Sequence, residues 1–317
     1  MKKFFKNILV FFFIIVILGE LIIRFTHTVS DLPQRTIDEF GIQKYYPNQS
    51  GYWKGGDHKW KINKFGWPGD LPNSYENVIS IIGDSFIENF MNPNECHQSN
   101  LLKQKMSDYN FIEASRSGVS FIEAMEISKQ LDSLKPIFQL IYVAGHDFTE
   151  SVSSIKPLKD ITQLDIETNR VVYGQMKSPG FKKILYNWKL LYYFYNNFSF
   201  NVFKKNKPPK KNKKTKKVKS KKDNDFKYFH EISKLLNYVK LNYDISNKIL
   251  VFQPKSKPEI IKLCKDKGFK TILLNSDNDK SWSFDYDHHW TCYGHDKVSL
   301  QVSRVLTKYI NESTKKH

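Results

Sequence analysis

VISIIGDS, residues 78–85, is the stretch of sequence that decides the fold. Its first five residues form a short, mostly apolar run that ends at a Gly-Asp-Ser turn, which is typical of a buried β-strand. FQLIYV (138–143) and KILVFQ (248–253) are runs of the same kind, and residues 121–134 have the apolar spacing of a helix. Such alternation predicts a parallel sheet covered by helices on both faces, a three-layer α/β/α sandwich. The predicted strands are 78–82, 111–114, 138–143, 248–253 and 270–274, and the predicted helices are 99–106, 121–134, 258–266 and 295–309.

Polar motifs follow three of these strands directly. Gly-Asp-Ser (83–85) follows the first strand, ASRSGVS (114–120) the second and AGHD (144–147) the third. Ligands of parallel α/β sheets bind at the carboxyl ends of the strands. We therefore expect the functional site at this edge of the sheet.

A further polar motif, DYDHHWTCYGH (285–295), precedes the last predicted helix. A serine hydroxyl is a weak nucleophile unless a base takes its proton, and a histidine held by a carboxylate is such a base. Asp287 and His289 are the favoured pair for Ser85. The pair Asp285 and His288 remains the alternative.

In this order the motifs resemble the SGNH (GDSL-like) hydrolase superfamily, and in particular its membrane-anchored bacterial members. The resemblance covers residues 46–306 outside an insertion, and further support comes from WKINKFGWPGD (60–70) and ELIIR (20–24). It implies a flavodoxin-like strand order and an ester-directed serine hydrolase without a metal or organic cofactor. The residues it assigns are Ser85 as nucleophile with Asp287 and His289, and an oxyanion hole of Ser85, Gly118 and His146, with His146 where the family has asparagine.

The N-terminus predicts a membrane anchor. MKKFFK is followed by the apolar run 8–23, which approaches the length of a membrane-spanning helix when Phe4 and Phe5 are included. A cleaved signal peptide is the alternative, although no small-x-small cleavage site follows the run. The lysines before the run favour a cytoplasmic N-terminus and a domain outside the cytoplasm, at the cell surface or in the periplasm.

The net charge of +18 comes mostly from one segment, because 12 lysines lie between Lys204 and Lys222. This tract lacks the folded aromatic platform of a nucleic-acid-binding surface, so we expect no nucleic-acid partner. It suits contact with an anionic surface. The tract and the aromatic residues 185–203 belong to an insertion at about 149–225, for which three interpretations remain: a helix followed by a disordered loop, a lid over the site, or a membrane-surface patch.

Three cysteines, Cys96, Cys264 and Cys292, exclude a disulfide-rich scaffold and a cysteine-based zinc site. One disulfide can form, and the sequence does not say between which two.

The expected organisation is an anchor (1–25), a linker leading into the domain (26–75) and an SGNH-like domain (76–317). The favoured function is an esterase that removes O-acyl groups from a glycan or a lipid. Two alternatives are an O-acyltransferase that uses the same serine and a non-catalytic anchored binding module.

Overall fold

The structure, a computed structural model, describes residues 1–198 and 221–314. The helices are α1 Lys2–Thr26, α2 Ser85–Glu88, α3 Gln98–Lys105, α4 Phe121–Leu131, α5 Gly145–Glu150, α6 Pro179–Asn187, α7 Lys189–Asn197, α8 Lys221–Asn242, α9 Pro258–Asp266 and α10 Cys292–Thr314. The strands are β1 Arg35–Ile37, β2 Gln43–Tyr45, β3 Ser50–Tyr52, β4 Lys59–Lys61, β5 Val78–Gly83, β6 Asn110–Ser115, β7 Phe138–Val143, β8 Gln163–Asp165, β9 Arg170–Val172, β10 Lys248–Phe252 and β11 Lys270–Leu273.

The central sheet has five parallel strands in the order β11-β10-β7-β5-β6. This is the flavodoxin-like order, in which the first strand along the chain, β5, lies inside the sheet between the second and the third. Ile82 of β5 pairs with Ala114 of β6 on one side and with Ile141 of β7 on the other. The strand order therefore reverses at β5, and the carboxyl end of β5 is where a ligand site is expected.

Two layers of helices bury the sheet, because its strands are apolar on both faces. One face packs against α4, α8 and α9, through residues such as Met125, Leu236 and Ile261. The other face packs against α3 and α10, through Leu102 and Val302. The predicted three-layer α/β/α sandwich is confirmed, and each predicted strand ends within one residue of its expected position. The last helix begins at Cys292 and ends at Thr314, so it is longer than its periodicity predicted.

Residues 26–75, the expected linker and entry segment, contain two antiparallel hairpins, β1–β2 and β3–β4. Their aromatic residues Tyr45 and Trp60 form a small core with Phe90, which follows the Gly-Asp-Ser turn. This packing brings the hairpins to the edge of the sheet that carries Ser85.

The insertion begins with the β8–β9 hairpin and continues with α6 and α7. Its lysine tract lies outside the described residues up to position 220. Helix α7 packs against α1, where the Leu190 side chain contacts Gly19. Helix α1 is long and apolar enough to cross a membrane, and most of its side chains are exposed. The insertion is thus joined to the N-terminal helix.

Candidate active site

Ser85 lies at a tight turn between β5 and α2. A Cβ atom at position 83 would lie 2.5 Å from Ile87 Cγ1, so the turn requires glycine there. The Asp84 carboxylate caps α2 by accepting a hydrogen bond from the Phe86 amide at 3.0 Å. Because Asp84 provides the cap, the hydroxyl of Ser85 remains available for another partner.

That partner is His289. The Ser85 Oγ atom lies 2.8 Å from His289 Nε2, and His289 Nδ1 lies 2.5 Å from Asp287 Oδ1. The same Asp287 oxygen accepts the backbone amide of His289 at 3.0 Å, which holds the carboxylate against the ring. The structure thus brings Ser85, His289 and Asp287 into one chain of hydrogen bonds, which is the geometry that a Ser-His-Asp triad requires. In the alternative pair, Asp285 and His288 are both exposed.

The loop that carries His289 is tied to the Ser85 side of the sheet at two points. Asn92 donates its side-chain amide to the carbonyl of the buried Trp290 at 2.9 Å. A disulfide joins Cys96 to Cys292 across 196 residues of sequence, and Cys264 is the free, buried cysteine. These ties position a histidine and a serine that are far apart in the sequence.

The protonation states of Asp287 and His295 suit the hydrogen bonds between Ser85, His289 and Asp287. Partial burial raises the pKa of Asp287, but hydrogen bonds from the amide and ring of His289 outweigh it and lower the pKa overall. Asp287 is therefore ionised at neutral pH and can orient the ring. Burial lowers the pKa of His295 to about 3, helped by charge on His97 and His289, so His295 is neutral.

Two backbone amides are available for an oxyanion. The N–H groups of Ser85 and Gly118 follow the adjacent strands β5 and β6, and neither donates a hydrogen bond to another group in residues 1–198 and 221–314. Gly118 has a φ of 82°, a conformation that glycine adopts without strain. These are the two amides to which the family resemblance assigns the oxyanion hole.

The structure places the third expected donor, His146, differently. Its ring is 56% exposed, and Nε2 lies 3.3 Å from Asp147 Oδ1 and 4.0 Å from Asp84 Oδ2. It lines a second cavity of about 360 Å³, and it does not line the cavity of Ser85. Burial raises the pKa of Asp84, and burial together with the charge of Asp84 raises the pKa of Asp147 well above its usual range. His146 therefore faces a pair of buried carboxyl groups.

The catalytic groups open into a cavity of about 580 Å³. Three parts of the chain line it besides the catalytic turns: the hairpin segment 32–53, residues 88–91 after the Ser85 turn, and residues 160–186 of the insertion. Glu88 is buried in the wall, where it accepts hydrogen bonds from the Tyr45 hydroxyl and from the Ser117 amide. A cavity of this size holds a substrate group larger than acetate.

Several cavity residues could not be found by sequence reasoning. Arg35 and Tyr45 come from the expected linker, and Lys182 and Tyr186 come from the insertion. The one motif in these segments, WKINKFGWPGD (60–70), includes neither Arg35 nor Tyr45, and the insertion contains no family motif. The only signal in the insertion is the helical spacing of aromatic residues with lysines beside them.

No protein-family model matches the chain, and no curated protein matches its sequence. Among solved structures, it is similar to the psychrotrophic esterase EstA from Pseudoalteromonas, with 13% identity, a TM-score of 0.38, and coverage of 74% of this chain and 99% of the other. It is also similar to TesA, with 10% identity, a TM-score of 0.37, and coverage of 72% and 97%. A third is a lipolytic protein assigned to the G-D-S-L family from Desulfitobacterium hafniense, with 13% identity, a TM-score of 0.36, and coverage of 72% and 99%.

Of these three structures, one is named an esterase and another a lipolytic protein of the G-D-S-L family. The function proposed below rests on the site geometry of this chain.

Proposed function

We propose that this protein is a membrane-anchored serine esterase that hydrolyses an O-acyl ester outside the cytoplasm. The observation that carries the proposal is the contact of Ser85 Oγ with His289 Nε2 at 2.8 Å, backed by Asp287 at 2.5 Å from the other ring nitrogen. The acyl group belongs to a glycan or a lipid. The reaction needs no group beyond those of the chain and water.

The geometry supports a two-step reaction. His289 takes the hydroxyl proton as Ser85 Oγ attacks the ester carbonyl carbon, and the negative oxygen of the tetrahedral intermediate faces the amides of Ser85 and Gly118. The intermediate collapses, the alcohol leaves with the proton from His289, and the acyl group remains on Ser85. Water then attacks the acyl-enzyme with His289 as base, and the carboxylic acid is released as Ser85 regains its proton.

One observation supports a location outside the cytoplasm, and a second supports an N-terminal helix that stays on the protein. The Cys96–Cys292 disulfide suits an oxidising compartment. Helix α1 is also bonded to the folded domain, because Glu20 accepts the backbone amides of Lys189 and Leu190. A signal peptide that is removed would leave these two amides without that partner, which favours an anchor that stays on the protein.

The test uses the full chain in detergent micelles and a fluorophosphonate probe, beside Ser85→Ala. We expect wild type to be labelled and to hydrolyse p-nitrophenyl acetate, and Ser85→Ala to lose labelling and about 10⁴-fold or more of the turnover. Thermal unfolding of both proteins shows whether the variant is folded. Equal turnover in the folded variant would remove Ser85 from the mechanism.

Labelling of Ser85 without ester hydrolysis would instead indicate an acyltransferase that waits for an alcohol acceptor. A folded wild-type protein without labelling would indicate a binding module.

A further inference from the structure

Helix α1 and the insertion meet at Glu20, a carboxylate within an apolar helix. Glu20 accepts the amides of Lys189 at 3.1 Å and Leu190 at 2.7 Å, which are unpaired donors of the first turn of α7. It also forms an ion pair with Arg24 at 2.6 Å. A carboxylate in hydrocarbon needs such partners, because the lipid offers none.

The contact between Glu20 and the first turn of α7 fixes the depth at which α7 lies relative to the membrane. The run from Phe4 to Gly19 rises about 24 Å, most of the roughly 30 Å hydrocarbon core. Glu20 therefore lies near the boundary of that core on the side of the folded domain. The start of α7 lies at the same level.

The outward surface of α6 and α7 is apolar and aromatic. Its side chains recur at helical spacing and are between 39% and 59% exposed, and the rings of Phe181 and Tyr195 join the two helices in an edge contact. An exposed patch of this kind indicates an interaction surface, and aromatic side chains are favoured at the membrane interface. The members of this aromatic face are Phe181, Ile184, Trp188, Leu191, Phe194, Tyr195 and Phe198.

Helix α6 also forms part of the wall of the catalytic cavity, through Pro179, Gly180, Lys182, Lys183 and Tyr186. One short helix thus presents apolar side chains outward and lysines to the cavity. An ester that enters the cavity beside α6 therefore comes from the same surroundings that the aromatic face contacts.

The charges that line the cavity favour an anion. Its three carboxylates are already bonded: Glu88 to Tyr45 and Ser117, Asp160 to Lys177, and Asp287 to His289. Lys182 and Lys183 make no ion pair within the part of the chain that the structure describes. Burial and the charge of Arg35 lower the pKa of Lys182, and the charge of Asp160 only partly opposes this shift.

We propose that the aromatic face lies in the head-group layer of the membrane that holds α1, and that the cavity takes its ester from an anionic phospholipid in that layer. This inference rests on the proposed esterase function and adds its substrate class. The acyl ester reaches Ser85, while the phosphate lies near Lys182 and Lys183. The alcohol released is a lysophospholipid, and the acid is a fatty acid.

The location is tested by tryptophan fluorescence of the full chain reconstituted in vesicles whose lipids carry bromine on the acyl chains near the glycerol. Of the six tryptophans, Trp188 is 58% exposed on the aromatic face, Trp53 is half-buried at the catalytic cavity, and Trp60, Trp67, Trp282 and Trp290 are buried in the domain. We expect brominated lipid to quench the wild-type protein and Trp188→Phe to lose most of that quenching. Equal quenching in both proteins would place the aromatic face away from the membrane.

The substrate is tested in vesicles that contain equal amounts of phosphatidylglycerol and phosphatidylcholine with different acyl chains. We expect the fatty acid of phosphatidylglycerol to be released faster, and Lys182→Glu to lower that preference about fivefold. Lys240→Glu, the same charge change at an exposed residue of α8, is the control and should keep the preference.

Equal release from the two lipids, or release from neither by a protein that hydrolyses p-nitrophenyl acetate, would overturn the inference and leave the esterase proposal standing. Loss of p-nitrophenyl acetate turnover in the wild-type protein would instead contradict the esterase function itself.

Discussion

Two parts of the cavity wall are built in different ways. The catalytic part, with Ser85 and His289, belongs to turns that a buried tryptophan, a disulfide and a helix cap hold against the sheet. The part from α6, with Lys182 and Tyr186, belongs to an insertion whose aromatic face remains exposed and whose helix α7 packs against α1. The comparison teaches that the reacting groups need the rigidity of the core, whereas the wall proposed to select the substrate belongs to helices that are exposed to their surroundings.

The largest effect on turnover in this comparison is expected from the carboxylate of Asp287, in the catalytic part of the wall. Asp287→Asn should lower kcat for p-nitrophenyl acetate about 10³-fold, somewhat less than the ~10⁴-fold of a fully buried triad aspartate, because 34% of the Asp287 side chain is exposed. Asp285→Asn, two positions away and exposed, should change kcat little. Steady-state kinetics of both variants measure the difference. The reverse ranking would assign the catalytic role to the other Asp-His pair.

The second test removes the disulfide that holds the His289 loop in the catalytic part of the wall. Replacing both Cys96 and Cys292 by Ser should lower the free energy of unfolding by about 3–5 kcal/mol, since the disulfide closes a loop of 196 residues. Urea unfolding of the full chain in detergent measures this loss. Dithiothreitol should destabilise wild type by a similar amount and leave the double variant unchanged. A double variant as stable as wild type would show that packing alone holds the His289 loop.

The third test measures how the stability of the protein depends on pH through His295, which is buried beside the His289 loop. The pKa of His295 is about 3 in the folded protein, so the unfolded chain binds the extra proton between about pH 6.5 and pH 3. Below pH 6.5 the folded protein should therefore lose up to about 1.4 kcal/mol of stability per pH unit from this group. Relative to His295→Gln, wild type should lose stability steadily between pH 6.5 and pH 4 in urea unfolding experiments.

His230→Gln removes an exposed histidine of α8 instead and serves as the control. Its stability difference from wild type should stay constant with pH. Parallel curves for wild type and His295→Gln would contradict the neutral, buried state of His295.

The smallest effect is expected at His146. His146→Asn restores the residue that the family pattern has there, yet it should change turnover of p-nitrophenyl acetate by less than about threefold, because the ring lies in the second cavity. A rise in kcat of tenfold or more, measured beside an unchanged Tm, would mean that position 146 supplies an oxyanion donor after all.

The catalytic core was predictable because its signals are local. Apolar runs such as 138–143 specify buried strands. In the Gly-Asp-Ser turn, the glycine allows the close approach of Ile87, the aspartate caps α2, and the serine is the proposed nucleophile. The choice of Asp287 with His289 depended on the pattern of the motif, and the structure places those two side chains beside Ser85. The role expected for His146 depended on the pattern as well, and there the ring faces Asp84 and Asp147.

By itself, the sequence determined the five strands of the central sheet, the apolar N-terminal helix and the turn that carries Ser85, because each depends on neighbours a few positions away. Only the tertiary structure decided that Cys96 pairs with Cys292, that Arg35 and Lys182 line the same cavity, and that Glu20 binds the start of α7. Those contacts join segments about 150 to 200 residues apart, and no local periodicity carries information about pairs at that separation.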